Sequence, residues 1–259
     1  MSSLIATRYG ALHVKNYSNL DSPRLPTLFI HGAGGSYLDF PSALRRSARV
    51  NGIAFDLPAH GASQGAAHEQ VEDYAQAVLA LLDALHLPQV ILAGHSMGGA
   101  IALTLALLAP ERVAGLMLIG TAAAIPVNPS LIEGILQDPQ ATAEQVMRWS
   151  WAKRTDASVL ALGVKRLLQN PPEVIRQDYL ACSRYDVRER LGEIQVPTLV
   201  LAARDDRMIF LASSSALAQD ITGAELVIVE GGGHMFPLEQ PTFITQTIED
   251  WLARHFPDA

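Results

Sequence analysis

Six apolar runs rich in β-branched residues punctuate the chain: "TLFIHG" (27–32), "GIAFD" (52–56), "VILAGHS" (90–96), "VAGLMLIG" (113–120), "TLVLAAR" (198–204) and "ELVIVEG" (225–231). Helical patterns lie between them. The runs are hydrophobic at nearly every position, so they predict a mostly parallel sheet with helices covering both faces. One covering helix is plain in the residues: Val71, Tyr74, Val78, Leu81, Leu82 and Leu85 recur at helical spacing, while Glu72, Asp73, Gln76 and Asp83 fill much of the other face. The stretch "LIATRYGALHVKNY" (4–17) reads as a leading hairpin that turns near Tyr9 and Gly10. The predicted fold class is α/β.

The alternation breaks once. Between Pro126 and Gln195 no convincing strand occurs, and helical segments are punctuated by "NP" at 128, "DP" at 138 and "NPP" at 170. This predicts a helical cap, 126–195, inserted over the sheet's C-terminal edge into a core made of 1–125 and 196–259. With 259 residues the chain is long enough for one large core bearing such an insertion. A formal charge of −7 argues against a surface that tracks phosphates, so no nucleic-acid partner is expected. The N-terminal stretch has no basic region followed by a sustained apolar segment, and no run approaches a membrane span. A cytoplasmic location without a membrane partner is the expectation. The single cysteine, Cys182, has no histidine or cysteine nearby at zinc-ligand spacing and reads as packing.

The chemistry gathers around "AGHSMGG" (93–99). An apolar run leading straight into the helical "MGGAIALTLALLAP" needs an abrupt reversal, and small neighbours are required if the apex residue is forced into a strained conformation. That apex is Ser96. "GHSMG" fits the G-x-S-x-G nucleophile elbow in its required strand-to-helix context. The plainer alternative is a tight turn whose serine caps the helix. A serine hydroxyl is a weak nucleophile, so it needs a base, and the base needs a group to fix its tautomer.

His234, in the glycine-rich "VEGGGHMFPLEQP" after the last run, is placed to be that base. His31, His60 and His95 sit in sharp loops where bonding to backbone is the expected task; His13, His68, His86 and His255 look peripheral. No H-E-x-x-H or other metal spacing is present. The acid lies in "RDDR" (204–207), where adjacent side chains point in roughly opposite directions, so only one of Asp205 and Asp206 reaches His234. Spacing alone does not choose between them.

Taken together, these segments resemble the α/β-hydrolase fold superfamily, in its single-domain, cap-bearing branch, over almost the whole chain. The matching stretches are "HGAGG" (31–35), "DLPAHGAS" (56–63), "GHSMGG", "ARDDRMIF" and "GGGHMFPLEQP". The resemblance implies Asp206 as the acid, with Asp205 the alternative. It implies an oxyanion hole from the N–H groups of Ala33 and Met97, with Gly34 an alternative second donor. Ala59, Ala203 and Phe210 depart from residues often found in relatives (Gly, Gly and Pro), which affects loops and pocket shape.

Relatives that act as haloalkane dehalogenases or epoxide hydrolases carry aspartate at the nucleophile position, where this chain has Ser96. C–C hydrolases keep serine but often have asparagine just before it, where this chain has His95. Carboxylic ester hydrolysis through an acyl-enzyme is therefore the expected reaction, on a small-molecule ester and with no metal or organic cofactor required. A C–C hydrolase, a cofactor-free perhydrolase and a small-molecule receptor are the alternatives. Candidate substrate contacts are Gly34, Trp149, Phe210 and Met235. Residues two apart on a helix differ by about 200° in direction, so Trp149 and Trp151 cannot both face one pocket, and either can be core.

Overall fold

All six apolar runs pair into one eight-stranded sheet in the computed structural model, which describes residues 2–17 and 24–257. The strands are β1 (Ser2–Thr7), β2 (Gly10–Asn16), β3 (Thr27–Ile30), β4 (Gly52–Phe55), β5 (Val90–His95), β6 (Val113–Ile119), β7 (Thr198–Ala203) and β8 (Glu225–Val229). They lie in the order β1-β2-β4-β3-β5-β6-β7-β8. The leading hairpin joins antiparallel to β4, and every later pairing is parallel. Alternation along each strand explains the continuous hydrophobicity. Leu28, Ile30 and Leu92 enter the core on one face, whereas Phe29, Ile91 and Ala93 enter the core on the other. The edge strand β8 departs from this pattern, because Leu226 and Ile228 stay partly exposed on its outer side.

The helices are α1 (Ser42–Arg45), α2 (Val71–Ala84), α3 (Met97–Leu108), α4 (Pro129–Gln137), α5 (Pro139–Ser150), α6 (Ala157–Leu167), α7 (Pro172–Arg184), α8 (Leu211–Asp220), α9 (Phe236–Glu239) and α10 (Pro241–His255). On α2 the stripe Val71, Tyr74, Val78, Leu81 and Leu82 is fully buried. Burying one such side chain stabilises the fold by about 1.5–3 kcal/mol. The opposite face of the sheet is sealed by Ile244, Ile248 and Trp251 of α10. No helix among the described residues is long and apolar enough to cross a membrane.

Between β6 and β7 run α4 to α7, and the proline dipeptides explain where they begin. Asn128 and Asp138 accept hydrogen bonds from Ser130 and Ala141 N–H as N-caps, and Pro129 and Pro139 follow them as first helical residues. In "NPP" the cap position falls on Pro171, and Asn170 is released for a different contact. These four helices share a small apolar core containing Leu131, Ile135, Val164, Leu167, Ile175 and Tyr179. A single bridge between Ala124 and Asp186 closes the base of the excursion.

Each apolar run leaves the sheet one or two residues before its sequence pattern ends. His31, Asp56, Ser96, Gly120, Arg204 and Glu230 are therefore the first residues of loops at the strands' carboxyl ends. In parallel sheets that is the edge where ligands bind.

Candidate active site

Ser96 has φ 55° and ψ −120°, a left-handed conformation that costs energy for any residue with a Cβ. The surroundings hold it there. Its N–H donates to the Ile119 carbonyl at 2.9 Å, and Thr121 Oγ1 donates to its carbonyl at 2.8 Å. The glycines are required by contact: a Cβ on Gly98 would lie 2.0 Å from the Ile30 carbonyl oxygen, and one on Gly94 would lie 2.2 Å from that of Gly98. The Ser96 side chain makes no capping hydrogen bond to α3, so its hydroxyl is not used to stabilise the helix.

His234 Nδ1 lies 2.8 Å from Asp206 Oδ2. Asp206 Oδ1 accepts the N–H groups of Met208 (2.8 Å) and Ile209 (2.9 Å), which fixes the carboxylate plane. A carboxylate can only accept, so Nδ1 carries a proton and, in the neutral ring, Nε2 is the nitrogen free to accept one. Asp206 is buried while Asp205 is exposed. The opposed directions of neighbouring residues thus bring Asp206, and not Asp205, to the histidine.

Neutral histidines support this pair. His95 Nε2 donates to the His234 carbonyl at 3.0 Å, and the two rings lie 4.7 Å apart. Burial, with His234 nearby, pushes the pKa of His95 down to about 3. His31 donates from Nδ1 to the Gly32 carbonyl (2.8 Å) and accepts the Leu57 N–H at Nε2 (3.0 Å). Burial and the neighbouring His60 push its pKa down to about 4. Both perform the backbone-bonding task expected of them. Peripheral His13 instead reaches Asp56, at 2.7 Å.

His60 does more than its sequence context suggested. Its Nδ1 faces the Pro58 carbonyl at 2.9 Å and its Nε2 faces Asp178 Oδ2 at 2.8 Å, so both ring nitrogens meet acceptors. Burial opposes charge on the ring, but Asp178 outweighs it, and the pKa of His60 is raised. Asp178, on α7 and fully buried, also accepts the Tyr74 hydroxyl (2.5 Å) and the Gly34 N–H (2.7 Å). Asn170 Nδ2 donates to the Gly34 carbonyl at 2.7 Å. Two side chains from the helical excursion therefore hold both polar groups of one residue in the "HGAGG" loop. Sequence reading missed Asp178. The available signal was a carboxylate on the apolar stripe of α7, with Ile175, Tyr179 and Cys182.

The candidate contacts separate. Gly34 lines neither cavity beside Ser96, and its N–H is committed to Asp178, so it offers no donor to a ligand. The Ala33 and Met97 N–H groups donate to no partner among the described residues. Trp149 and Phe210 line a cavity of about 580 Å³, which also reaches Ser96 and Ala33. Met235 and Trp151 line a second cavity of about 110 Å³, shared with Ser96 and His234. The two tryptophans thus face different spaces. Burial, together with the Asp178 charge, pushes the thiol pKa of Cys182 up.

Residues 27–247 match the Alpha/beta hydrolase family. The chain is 33% identical over 244 residues to the dihydrolipoyllysine-residue acetyltransferase component of the acetoin cleaving system of Pseudomonas putida, covering 89% of this chain and 64% of that protein. It therefore spans less than two thirds of that relative. It is 29% identical over 254 residues to a 2-hydroxy-6-oxo-2,4-heptadienoate hydrolase of Pseudomonas putida strain F1, covering 88% and 89% of the two chains. The fold superposes on a thermophilic esterase from Thermogutta terrifontis with a TM-score of 0.85 at 26% identity, over 98% and 99% of the chains. This chain belongs to the alpha/beta hydrolase family.

Proposed function

We propose that this hydrolase is a serine carboxylesterase in which Ser96 is the nucleophile, His234 the general base and acid, and Asp206 the group that orients the histidine. What carries the reading is one arrangement. An Asp206-bound His234 borders the same cavity as a serine on a strained, glycine-flanked apex. Ser96 Oγ attacks the ester carbonyl while Nε2 takes its proton; the oxyanion forms against the Ala33 and Met97 N–H groups. The proton passes to the departing alkoxide, and water then releases the acid by the same steps in reverse roles. A fluorophosphonate probe should label Ser96 stoichiometrically, and Ser96→Ala should abolish hydrolysis of aryl esters. An unlabelled Ser96 in folded protein would remove the reading.

Similarity to the dienoate hydrolase supports a second reading, cleavage of a C–C bond beside a ketone by the same three residues. A 2-hydroxy-6-oxo-dienoate assayed beside the esters separates the two. Faster turnover of the dienoate would replace the ester reading.

A further inference from the structure

Ser96 sits where two cavities of unequal size meet, and His234 borders only the smaller one. The larger, about 580 Å³, is walled by Ala122, Ile125, Val127, Leu131 and Trp149 and is mainly apolar. The smaller, about 110 Å³, is lined by His234, Met235 and Met147 and also by the ion pair of Arg166 and Asp39, whose closest atoms are 3.5 Å apart. Both touch Ser96 and Ala33, so the reacting carbon sits at their junction and each substituent on it must enter one or the other.

The proton's route decides which substituent goes where. In acylation the Oγ–C bond forms and the C–O bond to the alcohol breaks. The proton removed from Oγ by His234 Nε2 must be delivered to that departing oxygen. The leaving oxygen therefore lies on the His234 side, in the small cavity, and the acyl chain extends the other way into the large one. Deacylation reverses the bond changes with water in the alcohol's place, so the small cavity need hold only water in that step. The small cavity is itself mostly apolar, but the charged Arg166 and Asp39 on its wall add a second restriction. A long alkoxy chain would bring hydrocarbon against the Arg166–Asp39 pair and strip water from it, which is unfavourable for charged groups.

We propose that the substrates are esters of medium-length or bulky apolar acids with small alcohols. This rests on the esterase reading above. Ethyl octanoate and octyl acetate test it, because they are isomers that carry the chain on opposite sides of the same bond. One extra methylene in a fitted pocket changes kcat/KM by about 10-fold or more, so ethyl octanoate should be preferred by at least about that factor. Equal rates, or a preference for octyl acetate, would overturn the assignment of the cavities while leaving the esterase reading intact. Failure to hydrolyse either ester, with correctly folded protein, would overturn the esterase reading itself. In a second arm, Val127→Trp, which fills part of the large cavity, should lower the preference for ethyl octanoate over ethyl butanoate. An unchanged chain-length profile in folded variant protein would count against the proposal.

Discussion

Replacing Asp178 tests whether its buried cluster ties α7 to the core. Asp178→Ala leaves three buried donors without their acceptor: the Gly34 N–H, the Tyr74 hydroxyl and His60 Nε2. One unsatisfied buried donor costs about 1–3 kcal/mol, and removing one partner of a buried ion pair costs about 3–5 kcal/mol. These overlap because they describe the same carboxylate, so the expected loss is about 3–5 kcal/mol, the cost of the broken pair, and not their sum. Asp178→Asn keeps one oxygen for Gly34 and His60 but sheds the charge and turns the Tyr74 acceptor into an amide donor, so it should cost less than alanine, about 1–2 kcal/mol. Urea unfolding at pH 6, below the ordinary value of His60, measures both. A second readout separates charge from shape. The pKa of His60 is raised in the folded protein, so its stabilisation is complete below the ordinary value of 6.5 and is lost as pH rises through the folded value. The wild type should weaken along that limb and Asp178→Asn should not. An Asp178→Ala protein within about 1 kcal/mol of wild type would refute the account, since surface changes alone fall in that range.

Three further outcomes are expected. Asp206→Asn should lower kcat by about 10⁴-fold by leaving the histidine in the wrong tautomer, whereas Asp205→Asn should not; the reverse order in ester turnover would move the role to Asp205. Stability should decline as pH falls below 6.5, because His31 and His95, pushed down to about 4 and about 3, stay neutral in the folded state while the unfolded chain takes up protons. Each contributes roughly 1 kcal/mol per pH unit. Partly buried Asp39, pushed up to about 6 by desolvation, acts oppositely between about pH 6 and 4, so roughly one histidine's worth should remain as a falling urea midpoint; a flat midpoint from pH 6.5 to 4 would contradict this. Ala59 has φ 66°, so Ala59→Gly should raise stability by about 0.5–1 kcal/mol, because relief of left-handed strain exceeds the added chain entropy; a lowered melting temperature would count against it.

What could be read from the sequence is what depends on near neighbours. The six runs, the α2 stripe, the elbow and the helix starts at Asn128 and Asp138 each rest on residues within a turn or a strand of one another. Strand ends were overextended because His31, Ser96 and Glu230 continue their runs without a break in the sequence, while their backbones turn away to build loops. The β8 run looked covered on both faces because Val227 and Val229 alternate with the equally apolar Leu226 and Ile228, and nothing local shows that the face carrying the latter two is left partly uncovered. Choosing between Asp205 and Asp206 required the family resemblance, because the direction of His234 is set 28 residues later. Asp178 and His60 lie 118 residues apart, and neither neighbourhood signals the other.

Those distant contacts bear on how a substrate reaches Ser96. The helical excursion is attached at both loops that matter. Asp178 and Asn170 hold Gly34, the neighbour of the proposed oxyanion donor Ala33. At the histidine loop, Met235 N–H donates to the Ser150 carbonyl at 2.8 Å, and Glu239 accepts the N–H groups of both Gly233 and Ala152 at 2.8 Å. A Cβ on Gly233 would lie 2.6 Å from the Ala152 nitrogen, so the loop packs there without a gap. Lifting α5 and α7 as a lid would break these bonds together with a buried ion pair, at about 1 kcal/mol for each neutral bond and several more for the pair. The same motion would displace the groups that aim Ala33 and His234. Phe210, on the wall of the large cavity, is 65% exposed, and among the described residues its carbonyl bonds only to Ser213 and Ser214 N–H of α8. Entry past Phe210 would break none of these bonds.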